Sequence, residues 1–220
     1  MKIGILGGSF NPVHTGHVRM AIEVHEQLGL DRVELLPAKH PPHKEGDDIL
    51  PFDLRMALVE RAIEDMPELD VNPIENQRPG PSFTCDTLTC YRTEQPEIEL
   101  SFILGASTFL ELPQWRRGLE IPELASLVVV NRWEASVEVP GFIEEYWPEA
   151  REEDGLWRLP QGHTIRLLDA PRLDIKGGHI RQRWLTGRSI RYLVPPGVEA
   201  MLEERAGEIE QYWGKRTLKG

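Results

Sequence analysis

The stretch that decides the fold of this chain is Gly7-Gly8-Ser9-Phe10-Asn11-Pro12-Val13-His14-Thr15-Gly16-His17. It follows the apolar run 3–6 and precedes a helical pattern, which is typical of the first strand-to-helix turn of an α/β sheet. Two adjacent glycines let backbone N–H groups come close to an anion, and a helix that begins near His17 points its positive end at the same place. The stretch therefore predicts a phosphate-binding turn with two imidazoles at its mouth.

Length and charge limit the classes of protein that this chain can be. It has 220 residues, of which 40% are hydrophobic, and we expect one domain over residues 1–220. The net charge of −11 argues against a protein that holds nucleic acid by general electrostatics. The apolar run before Gly7 is too short for a signal peptide, and no apolar run reaches membrane-spanning length. We expect a cytoplasmic protein with no nucleic-acid and no membrane partner, and leave a homo-oligomer open.

Apolar spacing after this stretch alternates between helix and strand. Residues 18–28 have helical spacing and residues 33–37 follow as a strand, and this βαβ opening predicts parallel strands. Further patterns predict helices over 52–66 and 182–185, and strands over 71–74, 100–104, 127–130 and 164–169. We therefore predict a Rossmann-like, doubly wound α/β fold, with a mainly parallel sheet and helices on both faces.

Two segments fit this alternation less well. Residues 134–162 are rich in glutamate and contain Trp147 and Trp157, and we predict a surface insertion there. Residues 202–220 are charged and amphipathic, and we predict a helical C-terminal tail. The two cysteines, Cys85 and Cys90, support neither a disulfide framework nor a zinc site.

A stiff cationic loop follows the second predicted strand. Its sequence is Pro37-Ala38-Lys39-His40-Pro41-Pro42-His43-Lys44. Parallel strands carry their following loops to one edge of the sheet, so these lysines are candidates for a triphosphate clamp beside the first turn. The alternative is a solvated surface loop.

The first turn resembles the nucleotidyltransferase signature, in which His-x-Gly-His follows a Gly-rich strand end. The longer string from Gly7 to His17, with Pro-Pro-His-Lys at 41–44, is similar to the nicotinate-nucleotide adenylyltransferases of NAD biosynthesis. So many matching positions make an ordinary glycine-rich turn with two surface histidines the weaker interpretation. The resemblance covers residues 2–201 through separated strings and leaves 134–162 unmatched.

The resemblance also implies residues for a mononucleotide acceptor. In the string Ser82-Phe83-Thr84-Cys85-Asp86-Thr87-Leu88, the family's threonine, here Thr84, lies against the nicotinate carboxylate. Read locally, the same string is a helix cap, and we predict capping roles for Asp86 and Thr87. Trp115, followed by Arg116, resembles the tryptophan that stacks on the pyridine ring, although core packing is the alternative.

Two further positions, 107 and 132, correspond to acceptor-binding positions of the family. Ser107 stands where the family has an aspartate that contacts ribose. A hydroxyl can still hydrogen-bond the ribose there, without charge assistance. Arg132 follows the strand 127–130 where the family often has an arginine, and an exposed arginine with no role is an equally good interpretation.

A second phosphate string of the family, Ile-Ser-Ser-Thr-x-Ile-Arg, is altered here. Lys176-Gly177-Gly178 stands in place of its hydroxyls, while Ile180 and Arg181 are retained. Glycine amides can still donate to phosphate at a helix start. We therefore expect the phosphate site to keep its backbone donors and its arginine.

The reaction that the resemblance implies is adenylyl transfer from ATP to nicotinate mononucleotide, which gives deamido-NAD and pyrophosphate, with Mg²⁺ carried by ATP and no metal ligands from the protein. The catalytic residues implied are His14, His17, Lys44 and Arg181. The ATP-binding residues implied are Gly7, Gly8, Ser9, Phe10, His14, His17, Gly177, Gly178, Ile180 and Arg181. The acceptor-binding residues implied are Lys44, Thr84, Ser107, Trp115, Arg116 and Arg132. The departures keep two alternatives open: another acceptor, such as nicotinamide mononucleotide or phosphopantetheine, and a nucleotide-binding sensor without turnover.

Overall fold

The computed structural model describes residues 1–41, 48–78, 80–131 and 137–217. Its described part holds an eight-stranded sheet in the order β3-β2-β1-β4-β5-β8-β7-β6. The strands are β1 (Lys2–Gly8), β2 (Arg32–Pro37), β3 (Leu69–Val71), β4 (Glu99–Gly105), β5 (Ser126–Asn131), β6 (Arg151–Glu153), β7 (Leu156–Arg158) and β8 (Thr164–Asp169). The first six strands in this order, β3, β2, β1, β4, β5 and β8, are parallel to one another. Strand β7 pairs antiparallel with β8, and β6 pairs antiparallel with β7.

Helices cover both faces of the sheet. They are α1 (Thr15–Leu28), α2 (Phe52–Ala62), α3 (Thr84–Glu94), α4 (Ala106–Leu110), α5 (Ile121–Leu124), α6 (Val139–Tyr146), α7 (Gly177–Leu185), α8 (Pro196–Glu204) and α9 (Ala206–Trp213). Short 3₁₀ turns lie at Ile74–Gln77, Leu112–Gln114 and Gly118–Glu120. Among the described residues, no helix combines the length and apolar composition needed to cross a bilayer.

Strand alternation divides the interior into two cores. In β5, Leu127 and Val129 belong to one buried cluster, while Val128 and Val130 belong to the other. Helices α1, α2, α7, α8 and α9 contribute to the second cluster, and α3 to α6 contribute to the first. A parallel sheet buried on both faces needs apolar residues at consecutive positions, and this chain supplies them. The predicted doubly wound α/β fold is confirmed.

The strand order reverses between β1 and β4. From β1 the chain winds outward through β2 and β3, and it then returns to β4 on the other side of β1. In open α/β sheets, ligands bind beyond the carboxyl ends of the strands at such a switch point. The loops that follow β1, β2 and β4 therefore line one crevice.

Several element boundaries differ from those predicted. The third strand lies at 69–71 instead of 71–74, because Asn72 accepts a hydrogen bond from the backbone N–H of Ile74 and starts a 3₁₀ turn. Helix α2 ends at Ala62, four residues before the predicted end and five before Pro67. Helix α7 begins at Gly177 instead of Gln182, which puts both glycines in its first turn.

The segment 137–162 belongs to the sheet and the core. Val139 and Ile143 of α6 are fully buried, and β7 pairs with β8 and buries Trp157. The described part of this segment therefore contributes to the core instead of lying on the surface, while the insertion itself stays a prediction. The prediction misses the hairpin because its pairing with β8 is a contact between separate segments, whereas the exposed charges of β6 dominate the local pattern.

The C-terminal helices also pack into the molecule. Leu202, Ile209 and Trp213 are buried in one core cluster. Beyond α9, the Arg216 guanidinium lies 4.2 Å from the ring centroid of Trp184 and forms an ion pair of 2.7 Å with Glu203. The end of the described chain is thus held against α7 by packing as well as by charge.

We expect Ile143→Ala to lower the free energy of unfolding by about 2–5 kcal/mol, because it leaves a cavity in a closed core. Val137→Ala is the control, since Val137 lies in the same segment and is 83% exposed. Val137→Ala should change the free energy of unfolding by less than about 0.5 kcal/mol. Urea unfolding measures both, and equal small losses would show that α6 is not part of the cooperative core.

Candidate active site

The loop after β1 is compact and closes on its own side chains. Phe10 is buried with a backbone φ of 44°, and its ring lies so near Gly8 that an added Cβ there would be 3.2 Å from it. The same ring meets His17 edge-on at 4.9 Å. Phe10 therefore packs against His17, and a side chain on Gly8 would require the Phe10 ring to shift.

His14 and His17 form a stacked pair at the start of α1. Their ring centroids are 3.6 Å apart with an interplanar angle of 20°. A Cβ on Gly16 would be 3.1 Å from His14 Nδ1, so glycine between the histidines keeps the stack unstrained. His17 Nδ1 accepts the backbone N–H of His14 at 3.3 Å. A neutral His17 ring therefore carries its proton on Nε2, which makes that atom a hydrogen-bond donor.

The first turn of α7 lies against the loop after β1. A Cβ on Gly177 would be 2.9 Å from the carbonyl oxygen of Asn11, so only glycine fits without a shift. Arg181 donates to the same oxygen at 2.8 Å and also to the carboxylate of Asp48. Ile180 is buried and anchors the helix. These contacts join the two predicted phosphate elements into one cradle of backbone amides, imidazoles and a guanidinium.

The buried side chain of Arg55 connects the loop after β1 with the loop after β2. Its side chain is 1% exposed and donates at 2.8 Å to the carbonyl oxygens of Leu50, Ser9 and Ala38, and at 3.3 Å to that of Lys39. Burial lowers the pKa of Arg55 to about 10, so the guanidinium stays protonated at neutral pH. One buried cation thus fixes the loop after β1 against the loop after β2.

A cavity of about 340 Å³ opens beside this cradle. Its described lining is Ile5, Gly7, Gly8, Ser9, Leu36, Ala38, Pro41, Glu75, Ser82, Phe83, Thr84, Thr87, Leu88, Phe102, Thr108, Trp115 and Arg116. Six of the predicted site residues are among these. The cavity therefore connects the phosphate turn with the predicted acceptor residues.

Ser107 and Thr108 lie differently with respect to the cavity, and the predicted contact of Ser107 with ribose stays a prediction. It is exposed on the first turn of α4 and does not line the described cavity, whereas Thr108 does. Because β4 ends at Gly105 and a helix begins at once, neighbouring side chains point about 100° apart. The helical phase thus gives the cavity the hydroxyl of Thr108.

The capping roles predicted for Asp86 and Thr87 are wrong. Helix α3 begins at Thr84 with Phe83 in the cap position and no side-chain cap bond. The Thr87 hydroxyl instead donates to the carboxylate of Glu75. Asp86 lies 3.4 Å from Arg116. A cap prediction uses local sequence, and these partners come from other segments.

Glu75 is a buried carboxylate in the cavity lining that the sequence analysis missed. The signal that could have found it is its spacing of three residues from Arg78, a pair that suits one helical turn. Lys44 and Arg132, which were predicted to bind substrate, lie outside the described residues.

The described ranges were searched for side chains that could bind a metal ion together. They contain no group of three or more His, Cys, Asp or Glu side chains placed to hold a metal ion. The cradle donors are amides, imidazoles and a guanidinium, which suit phosphate oxygens instead of a cation.

The chain is similar in sequence to known proteins over most of its length. The cytidylyltransferase-like family matches residues 5–183. A protein described as a probable nicotinate-nucleotide adenylyltransferase, from Trichlorobacter lovleyi, is 42% identical over 210 residues, covering 93% of this chain and 98% of that protein. A protein of the same description from Syntrophotalea carbinolica is 42% identical over 204 residues, covering 90% and 93%.

A solved structure shares the fold at low sequence identity. The Plasmodium falciparum nicotinic acid mononucleotide adenylyltransferase complexed with NaAD aligns with a TM-score of 0.72 at 15% identity, over 94% of this chain and 98% of that one. At that identity the likeness concerns the arrangement of the strands and helices.

We expect Arg55→Met to lower the free energy of unfolding by about 3 kcal/mol or more, because it leaves several buried carbonyl oxygens without a donor. Arg61→Met is the matched control, since Arg61 lies on the same helix, is exposed and pairs with Glu64. Chemical denaturation of both variants checks this expectation. A loss no larger than that of Arg61→Met would refute the role of Arg55 as a clamp.

Proposed function

This chain belongs to the cytidylyltransferase-like family and, within it, to the nicotinate-nucleotide adenylyltransferases, and on that basis we propose that it is an enzyme of NAD biosynthesis. It transfers the adenylyl group of ATP to nicotinate mononucleotide and releases pyrophosphate. The observation that supports the assignment of particular residues is the stacked pair His14 and His17 at the start of α1, directly after the loop whose Asn11 carbonyl oxygen accepts a hydrogen bond from Arg181.

The acceptor occupies the cavity of about 340 Å³, a volume within the range of small-ligand pockets. The pyridine ring lies against the indole of Trp115, since an electron-poor ring stacks favourably on an electron-rich one. Thr84, in the first turn of α3, lies near the carboxylate of the ring. Arg116 supplies positive charge at the same wall, and the acceptor phosphate points toward Gly7 to Ser9.

ATP lies across the loop after β1 and the start of α7. The backbone of residues 7–10, with the amides of Gly177 and Gly178, surrounds the phosphates, and buried Ile180 fixes the helix that presents them. Arg181 holds the β- and γ-phosphates that leave. We assign Lys44 to the same leaving group and Arg132 to the acceptor edge on the strength of the sequence motifs.

The chemistry needs orientation and charge stabilisation more than proton removal. The attacking phosphate of the acceptor has a second pKa of about 6, so near neutrality it is ionised and needs no general base. Its oxygen bonds to the α-phosphorus of ATP while the bond to the bridging oxygen breaks and pyrophosphate leaves. His17, through Nε2–H, donates to an α-phosphate oxygen as charge develops there, and His14 holds His17 in place by stacking. Two phosphates bound in line then react directly.

A divalent cation accompanies ATP in nucleotidyltransferases, and we propose Mg²⁺. The described residues contain no group of three or more His, Cys, Asp or Glu side chains placed to hold a metal ion, so phosphate oxygens and water would hold it. When bound, it neutralises charge on the leaving pyrophosphate.

Two alternative functions are tested by different experiments. The first is another acceptor, the amide mononucleotide or phosphopantetheine, and acceptor competition in one assay separates it from the acid. The second is a sensor that binds nucleotide without turnover, which the glycines at 177 and 178 suggest because they replace hydroxyls of the family's string.

We expect His17→Ala to lower the rate of pyrophosphate release by about 100-fold to 1,000-fold, because it removes one donor to the developing charge. His25→Ala is the control, since His25 lies in the last turn of the same helix. A coupled pyrophosphate assay measures both, with circular dichroism to check folding. Activity of His17→Ala near that of the wild type would contradict the role of the second histidine.

For the wild-type protein, we expect calorimetry to detect ATP binding and the addition of nicotinate mononucleotide to yield one pyrophosphate per deamido-NAD. Both products are measured by chromatography in the same sample. Binding of ATP without either product, at saturating acceptor and Mg²⁺, would favour the sensor.

A further inference from the structure

The carboxylate of Asp48 lies on the guanidinium that we assign to the leaving phosphates. Arg181 Nη1 donates to the carbonyl oxygen of Asn11 at 2.8 Å, and Nη2 donates to Asp48 Oδ2. A Cβ built on Gly177 would be 3.7 Å from Nη1, and one built on Gly178 would be 4.0 Å from Nη2. The guanidinium therefore folds back beside the first turn of α7, and the carboxylate brings its negative charge to the same place.

The backbone beside Asp48 is anchored, whereas its side chain is open to solvent. Asn11 is buried, and its side-chain amide donates to the Asp48 carbonyl oxygen at 2.8 Å, while its Oδ1 accepts the backbone N–H of Leu50 at 3.1 Å. The side chain of Asp48 is 50% exposed, and that of Arg181 is 20% exposed. The carboxylate can therefore leave the guanidinium by rotation about its own side-chain bonds. The bond from Arg181 to the Asn11 carbonyl does not depend on it.

Phosphates and the Asp48 carboxylate compete for the same donors. An ion pair that is this exposed is weak, because water solvates the carboxylate once it leaves. The terminal phosphates of ATP carry more negative charge and more acceptor oxygens than one carboxylate, so they displace it from Arg181. A carboxylate that stays close by then repels these phosphates at short range. Its effect is to lower the affinity of the site for them.

We propose that Asp48 is a built-in competitor of pyrophosphate. It pairs with Arg181 in the free protein, is displaced by the β- and γ-phosphates of ATP, and pairs with Arg181 again as pyrophosphate leaves. This inference rests on the proposed function, which assigns Arg181 to the leaving phosphates. Asp48 therefore weakens the binding of ATP and speeds the release of the product.

Two other roles for Asp48 predict the opposite effect. A residue that only orients Arg181 would strengthen phosphate binding, and so would a carboxylate that holds the Mg²⁺ ion of ATP. The bond to the Asn11 carbonyl already gives Arg181 a direction. In the ranges that the structure describes, Asp48 also belongs to no cluster of three or more side chains that could hold a metal ion. These two observations favour competition.

The test measures the dissociation constants of pyrophosphate, ATP and AMP by calorimetry, without acceptor, in the wild type and in variants at position 48. Asp48→Asn should lower the constant for pyrophosphate by about threefold to tenfold, and that for ATP in the same direction, because the competing charge is gone. The constant for AMP should change by less than about twofold, since AMP brings no phosphate to Arg181. Asp48→Glu keeps the charge and should bind pyrophosphate less tightly than Asp48→Asn.

Asp53→Asn is the matched control, because Asp53 is exposed in the first turn of α2 and its replacement removes the same charge. Its dissociation constants should equal those of the wild type. The gain in Asp48→Asn should also shrink when the ionic strength rises from about 0.1 M to about 1 M, since the Debye length falls from about 10 Å to about 3 Å. During turnover, pyrophosphate should inhibit Asp48→Asn at a lower concentration than it inhibits the wild type.

Pyrophosphate binding by Asp48→Asn that is no tighter than binding by Asp53→Asn would overturn the inference, and a loss seen only with Mg²⁺ would assign Asp48 to the ion instead. An equal gain for AMP would also overturn it, because a general loss of negative charge would explain that result. A wild type that binds ATP and pyrophosphate but forms no deamido-NAD would remove the proposed function, while the comparison of dissociation constants still decides the role of Asp48. A wild type that binds neither would overturn both.

Discussion

The crevice depends on one buried guanidinium. Arg55 donates to carbonyl oxygens of the loops that follow β1 and β2, and no side-chain carboxylate is among its hydrogen-bond acceptors in the described structure. Carbonyl dipoles leave the cation only partly compensated, which is why burial lowers its pKa to about 10. The hydrogen bonds that the guanidinium donates offset the free-energy cost of burying it, and the same bonds connect the two loops. The two loops are thus joined by hydrogen bonds within the protein itself.

The phosphate site that we propose depends on the close approach of backbone segments. Gly16 lets the two imidazoles stack, and Gly177 lets α7 approach the carbonyl of Asn11. A Cβ on Gly177 would lie 2.9 Å from a backbone oxygen and force a shift, whereas a Cβ on Gly16 would make a tight contact of 3.1 Å with the His14 ring. Arg181 then links α7 to the loop after β1. Main-chain amides are the donors of the site that we propose, and for that reason we expect it to work without the hydroxyls of the family's second string.

The sequence allowed the fold and the strand-to-helix turn that carries the two histidines to be predicted, because both depend on local patterns. Runs of apolar residues marked the buried strands, and the fixed spacing of His14 and His17 marked the turn. What could not be predicted depends on contacts between distant segments. The hairpin of β6 and β7 pairs with β8, and Glu75 meets Thr87 twelve residues away. The choice of Thr108 over Ser107 depends on where a helix begins, and boundaries are the least certain part of any local pattern.

The acidic surface of the chain constrains how the site can work. With a net charge of −11, the long-range field repels both ATP and an anionic acceptor, so attraction must come from groups in direct contact with them. Two arginines at this edge have a carboxylate beside them: Arg181 has Asp48, and Arg116 has Asp86. Such pairing weakens the charge that a ligand meets, yet it fixes the direction of each guanidinium. In the site that we propose, recognition therefore depends on the orientation of these donors more than on total charge.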